Sequence, residues 1–257
     1  MPDISPLAVV KPGAELAADV CVGPFSYIGP EVRIGAGCII ENNVTITGRT
    51  TLGDKNHVFP LTAIGASGGN GLGDGECVLG TANTIREHVT IYAGLERPTS
   101  IGTDNLVMIH TEIGDGAVIG DHGIFDNCSH IGSSADVGDY VRTSGFAAIC
   151  PGVTVGAYTF VTGYASVDRD APPYAIVQGF PIRVRGVNSR NLKRCGFGED
   201  DISRLKQAFR ELFNDAENYV DQAALKRLLA EPNVNQCVRR LLESLHPQAQ
   251  PAGDSHG

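Results

Sequence analysis

The seven histidines of this 257-residue chain are the side chains best suited to moving a proton near neutral pH. Two sets of residues share a spacing of 18. Glu112 precedes His130 by that interval, and Asp104, His122 and Tyr140 form a series with it. A carboxylate held against an imidazole fixes its tautomer and leaves the second ring nitrogen free as a general base. The same pairing on a bare surface is an ion pair or a subunit contact, and the second series reads more readily that way. His57, His88 and His110 have no carboxylate at this spacing, which points to buried or interface roles. His110, His122 and His130 differ in phase, and the seven cysteines contain no CxxC pair, so neither a metal site nor any other cofactor is predicted. A basic cluster, Arg183, Arg185, Arg190, Lys193 and Arg194, stands out in a chain of net charge -9. It suits an acidic protein or a nucleotide diphosphate, or else forms a solvated face.

An 18-residue interval matters because the chain repeats every six. Aliphatic or aromatic residues recur at Ile101, Val107, Ile113, Ile119, Phe125, Ile131 and Val137, then at Ile149, Val155, Val161 and Val167, and only Thr143 breaks the run. Small or β-branched residues follow four positions later, among them Thr111, Ala117, Ser129 and Ala135. The same phase runs from Ile4 to Ile64. Six fits neither the 3.6 of a helix nor simple alternation. It fits hexapeptide coils of three short strands, so residues 18 apart stack about 4.8 Å from one another. Val32, Val89, Ala148 and Phe160 are expected to point outward and to be covered in a homo-oligomer.

Two excursions interrupt the coils. Residues 66–76 (ASGGNGLGDGE) are too rich in Gly for a strand and read as a loop, with 66–78 as its outer bounds; residues 94–100 make a second, shorter one. Loops on a solenoid are where binding groups are mounted, or merely tolerated insertions. Two prolines at 172–173 end the last coil, and 175–187 read as one irregular strand pair. Residues 1–187 are thus a β-helix and 188–246 a helical cap. In the cap, Asn188 should N-cap a helix reaching Arg194, with further helices over 199–213, 221–229 and 233–245. The polar tail, 247–257, is expected to be disordered. The acidic balance argues against nucleic acid, and no apolar run reaches the ~18 residues of a membrane span. Scattered cysteines and the lack of a signal peptide point to the cytoplasm.

The order of parts, with IREHVTI at 85–91, IGTDNLVMI at 101–109, DAPPYAIVQG at 170–179 and GVNSRNLKRCGF at 186–197, resembles the UDP-N-acetylglucosamine acyltransferase family. The resemblance implies an all-β left-handed parallel β-helix with a C-terminal α-helical cap, assembled as a homotrimer. It also implies transfer of a hydroxyacyl chain from acyl carrier protein to the 3-hydroxyl of a nucleotide sugar, in lipid A synthesis. It places Asn188 and Arg194 on nucleotide-binding positions, with Arg190 where the family has Glu. Gly163 falls where a Gly lets a long acyl chain run along the coils.

The same resemblance puts the family's catalytic His on Asp115 and its orienting Asp on Gly116. Other active-site His positions fall on Glu112, Ser134 and Cys150. The family's sugar-binding segment has no counterpart in the Gly-rich run. Asp115 itself shares the phase of Asp121 and Asp139, where Asp makes a turn, and a carboxylate is a poor base for a sugar hydroxyl unless burial raises its pKa. Asp115, Glu112 and His130 remain the catalytic candidates. Two readings follow: an acyltransferase of altered acceptor or mechanism, slow or inactive in the family's standard reaction, or a catalytically silent trimer that binds a ligand or partner.

Overall fold

A computed structural model describes residues 1–67, 75–213 and 219–246. Two-residue strands alternate with turns, and each coil of the chain visits three sheets in order. Among the described residues these sheets hold 11, 9 and 8 strands. The coil is left-handed, an exception to the usual right-handed crossover. Pairing between coils is parallel, and Glu112, His130, Ala148 and Ser166 lie in register down the second sheet.

A two-residue strand turns one side chain in and the other out. Ile113, Ile131, Ile149 and Val167 are therefore buried, while Glu112 and His130 face out. The residue four positions on also turns inward, as at Ala117 and Ala135. Val32 and Val89 belong to this second inward set, four after Ile28 and Ile85, and are fully buried; the expectation that they point outward is wrong. Ala148 and Phe160 do face outward, half-buried. Each aliphatic side chain so removed from water stabilises the fold by about 1.5–3 kcal/mol. Thr143, the break in the series, is satisfied internally: its hydroxyl lies 2.7 Å from that of Ser129 and accepts the Asp126 N–H at 2.9 Å. Ile4, in the first coil, is 37% exposed.

The corner between the third and first sheets carries Asp104, His122, Tyr140, Tyr158 and Tyr174, all with left-handed φ of 56–67°. Beneath it the buried Asn56, Asn83 and Asn105 hydrogen-bond from coil to coil: Asn56 Oδ1 accepts the Asn83 N–H and Asn83 Oδ1 that of Asn105, each at 2.9 Å. The corner is therefore pinned from inside.

The two excursions lengthen the stacking interval. His57 pairs with Thr84 and Thr90 with Glu112, steps of 27 and 22 residues (84 − 57 and 112 − 90) in place of 18. Most of the Gly-rich run, 68–74, lies outside the described residues, as does the tail 247–257.

After the last coil Ala175–Gln178 pairs parallel to Phe160–Val161, and Arg183–Val187 returns antiparallel to it. Four helices follow: α1 (Ser189–Arg194), α2 (Glu199–Leu212), α3 (Gln222–Leu229) and α4 (Gln236–Leu245). Asn188 occupies the N-cap position of α1 without a side-chain cap bond, and its amide nitrogen donates to the Tyr158 carbonyl at 2.8 Å. Asp221 and Asn235 do cap, accepting N–H groups of α3 and α4, so these helices start one and three residues later than their sequence suggests. Ile202, Leu205, Phe209 and Leu212 of α2 are buried with Leu225, Leu228, Val238, Leu241 and Leu242. Among the described residues no helix is long and apolar enough to cross a membrane.

Candidate functional site

On the second sheet Glu112 and His130 stack as their spacing requires. Glu112 Oε2 lies 3.8 Å from His130 Nδ1, and both side chains are about half exposed, at 48% and 47%. That distance is beyond hydrogen-bonding range, so the pair fixes no tautomer. Asp115, at the next corner, is held otherwise: its Oδ1 accepts the Ser133 hydroxyl at 2.6 Å and its carbonyl accepts the Ser134 N–H at 2.8 Å. Asp121 and Asp139, by contrast, each accept a backbone N–H of a neighbouring coil. Cys150 Sγ stands 3.7 Å from Ser166 Oγ.

The second excursion supplies a residue that sequence reasoning missed. Arg97 donates to the carbonyls of Gly116 at 2.5 Å and Ser134 at 2.9 Å, and its Nη1 lies 3.0 Å from Asp136 Oδ1. It fills the space beside Gly116, whose φ is +66°; a Cβ there would sit 3.3 Å from Arg97 Cγ and 3.4 Å from Ser134 Oγ. The corner formed by Asp115 and Gly116 is thus held by an arginine strap.

The other acid–His series is the better-formed one. Asp104 Oδ2 lies 2.9 Å from His122 Nδ1, and the His122 ring stacks on Tyr140 with centroids 4.6 Å apart. Tyr140 stacks on Tyr158 at 4.9 Å, and Phe197 meets Tyr158 edge-on at 5.0 Å. Three further histidines have partners that the 18-residue spacing did not reveal. His57 Nε2 is 2.9 Å from Glu41 Oε1 and stacks on Phe59, while the exposed His88 and His110 stack on each other at 4.5 Å across the second excursion. His110, His122 and His130 lie on different parts of the prism, His110 before the second sheet, His130 within it and His122 before the first. Among the described residues no group of three or more His, Cys, Asp and Glu is disposed to hold a metal ion.

The cap closes over the first sheet to form a groove of about 360 Å³. Its walls include Ile124, Phe160, Asn188, Arg190 and Arg194, together with Arg142 and Asp126. Burial, then the charges of Arg194 and Arg190, pull the Arg142 guanidinium below the usual arginine range. Asn188 and Asn191 fasten α1 here, donating to the carbonyls of Tyr158 at 2.8 Å and Tyr140 at 3.3 Å. Three guanidiniums line one cleft, none within ion-pair distance of a carboxylate among the described residues, a disposition chemically suited to an anion. Arg142 carried no signal in the sequence, because it sits on an outward strand position like many others. The rest of the basic cluster lies elsewhere. Lys193 pairs with Glu199 at 2.6 Å, and Arg185 borders a second groove of about 500 Å³ with Lys206 and Arg210. Gly163 is exposed one coil beyond the arginine groove; a Cβ on it would meet the Gly145 carbonyl at 3.3 Å and Ser144 Oγ, a groove residue, at 3.6 Å.

Comparison with known proteins agrees with this architecture. Residues 170–251 match domain 2 of UDP N-acetylglucosamine O-acyltransferase, and residues 13–48 match the bacterial transferase hexapeptide of six repeats. The acyl-[acyl-carrier-protein]–UDP-N-acetylglucosamine O-acyltransferase of Saccharophagus degradans is 46% identical over 216 residues, 82% of this chain and 84% of that protein. The UDP-N-acetylglucosamine acyltransferase of Francisella novicida superposes with a TM-score of 0.87 at 26% identity, over 93% of this chain and 90% of that one. The enzyme from Campylobacter jejuni does so with 0.87 at 27%, over 94% and 95%. Fold, cap and sequence identity agree, and the chain belongs to the UDP-N-acetylglucosamine O-acyltransferase family.

Proposed function

We propose that this protein transfers an acyl group from a thioester on acyl carrier protein to a hydroxyl of a nucleotide-linked sugar, with an acceptor or a base different from those of its relatives. The observation that carries this reading is the groove in which Arg142, Arg190 and Arg194 converge beside Asn188. A diphosphate bridging two or three guanidiniums forms charge-assisted hydrogen bonds in a partly desolvated cleft, where they are stronger than on an open surface. The sugar would then project along the coils, and Gly163 leaves room for a chain beyond Ser144. The same reading places the protein in the cytoplasm as a homotrimer. The exposed Phe25, Leu61, Phe146 and Tyr164 share one corner, with Asn43, His88, His110 and Cys128 between them, and supply apolar contacts for that assembly.

Mass spectrometry of reactions containing hydroxyacyl-carrier protein and a panel of UDP-amino sugars tests the reading. Acylated nucleotide sugar forming in proportion to protein concentration supports it. Binding of the nucleotide without turnover of any acyl donor would instead establish the silent binding protein.

A further inference from the structure

We propose that Asp104 and His122 form the base of this site, with His122 the catalytic residue and Asp104 its positioning residue. The inference rests on the acyl-transfer reading above and names the group that deprotonates the acceptor. Asp104 Oδ2 lies 2.9 Å from His122 Nδ1. An ionised carboxylate can only accept, so in the neutral imidazole Nδ1 carries the proton and Nε2 has the free lone pair. A general base must be held in one tautomer and one orientation, and both conditions are met here. Tyr140 packs against the ring face at 4.6 Å, and Asn105 anchors the turn of Asp104 through Asn83 at 2.9 Å and the Gly120 carbonyl at 3.0 Å. The His122 side chain is 39% exposed, open enough for a ligand to reach.

Position favours the same pair. Ile124, which opens the strand directly after the corner that carries His122, lines the arginine groove. Tyr140, directly beneath His122, accepts a hydrogen bond from Asn191 of α1, which also lines the groove. The corner that carries His122 thus adjoins both the strand and the helix that line the groove, and a sugar attached to a diphosphate held there would extend toward it. Neither alternative is built this way. Glu112 and His130 are 3.8 Å apart, and Asp115 Oδ1 is engaged by a hydroxyl.

The step balances without any further reactant. His122 Nε2 takes the proton of the acceptor hydroxyl as its oxygen bonds to the thioester carbonyl carbon. The carbon–sulfur bond then breaks, and the departing thiolate takes the proton from Nε2. The products are an ester and a free thiol, and the imidazole returns to its starting form.

Nitrogen-15 NMR of the full-length protein, titrated with UDP-N-acetylglucosamine, tests the proposal on the wild-type chain. His122 should show a protonated Nδ1 and a bare Nε2, and the Nε2 resonance should move together with Arg142 Nε as the nucleotide binds. Movement of Arg142 alone would overturn the base while leaving the groove intact. Movement of neither would remove the groove reading and this inference with it. In turnover with hydroxyacyl-carrier protein, His122→Gln should lower kcat about 10²–10⁴-fold at unchanged KM. Asp104→Asn should lower kcat and mix the two tautomers in the His122 spectrum. A His122→Gln rate equal to wild type would contradict the assignment.

Discussion

Arg97 Nη1 and Asp136 Oδ1 lie 3.0 Å apart, so a residue of the second excursion is tied to the third sheet across two coils. The same guanidinium holds the Gly116 and Ser134 carbonyls, and the excursion becomes part of the prism wall. Arg97→Met keeps the length of the side chain and removes all of these bonds. Hydrogen bonds to a charged group contribute about 1.5–3 kcal/mol in favourable settings, reduced here because the side chain is 39% exposed. We expect a loss of about 1–2 kcal/mol, read as a fall in Tm of roughly 2–8 °C. Amide exchange should rise over 94–100 and 114–117, and an unchanged exchange pattern would contradict the strap.

Glu112 and His130 should prove dispensable. A half-exposed pair at 3.8 Å contributes at most about 1 kcal/mol, and without a hydrogen bond it orients no proton. His130→Gln should leave turnover and Tm close to wild type. A kcat loss of about a hundredfold or more would return the catalytic role to this pair.

The exposed corner should hold the trimer. Phe146 and Tyr164 stack at 5.2 Å and are 56% and 78% exposed, in line with Phe25 and Leu61. A glutamate in place of Phe146 puts one charge per subunit into this stacked apolar pair. Sedimentation of the wild type should give a trimer, and Phe146→Glu should dissociate it. A monomeric wild type, or a trimer unaffected by the substitution, would contradict this assignment.

Gly163 should set acyl chain length. A side chain there presses on the Gly145 carbonyl and on Ser144, at the edge of the groove. Gly163→Met should shift the preferred donor to a shorter chain. An unaltered preference would mean that the glycine merely relaxes a tight corner.

Much of the fold is legible in the sequence, because a six-residue period forces every inward side chain to be apolar or internally satisfied, as Thr143 is by Ser129. The site is less legible, for three physical reasons. Spacing sees stacking but not reach: Asp104–His122 and Glu112–His130 are both 18 apart, yet one pair closes to 2.9 Å and the other stays at 3.8 Å. A strand position says which way a side chain faces but not what covers it, so Arg142 became visible only when α1, some 50 residues later, folded over it. An excursion hides its anchors, as Arg97 and the His88–His110 stack show. The inward placement of Val32 and Val89 was in principle readable, since each stands four residues after an interior isoleucine.

Calorimetric titration of the full-length protein with UDP-N-acetylglucosamine at low ionic strength tests the central claim, that the arginine groove receives a nucleotide diphosphate. Binding should be measurable, and should weaken as salt screens the partly exposed charges. Arg142→Ala and Arg194→Ala should each raise Kd by about 10–100-fold, the loss of one or two charge-assisted hydrogen bonds. An affinity that is unchanged in both variants, or no binding to the wild type, would contradict the claim.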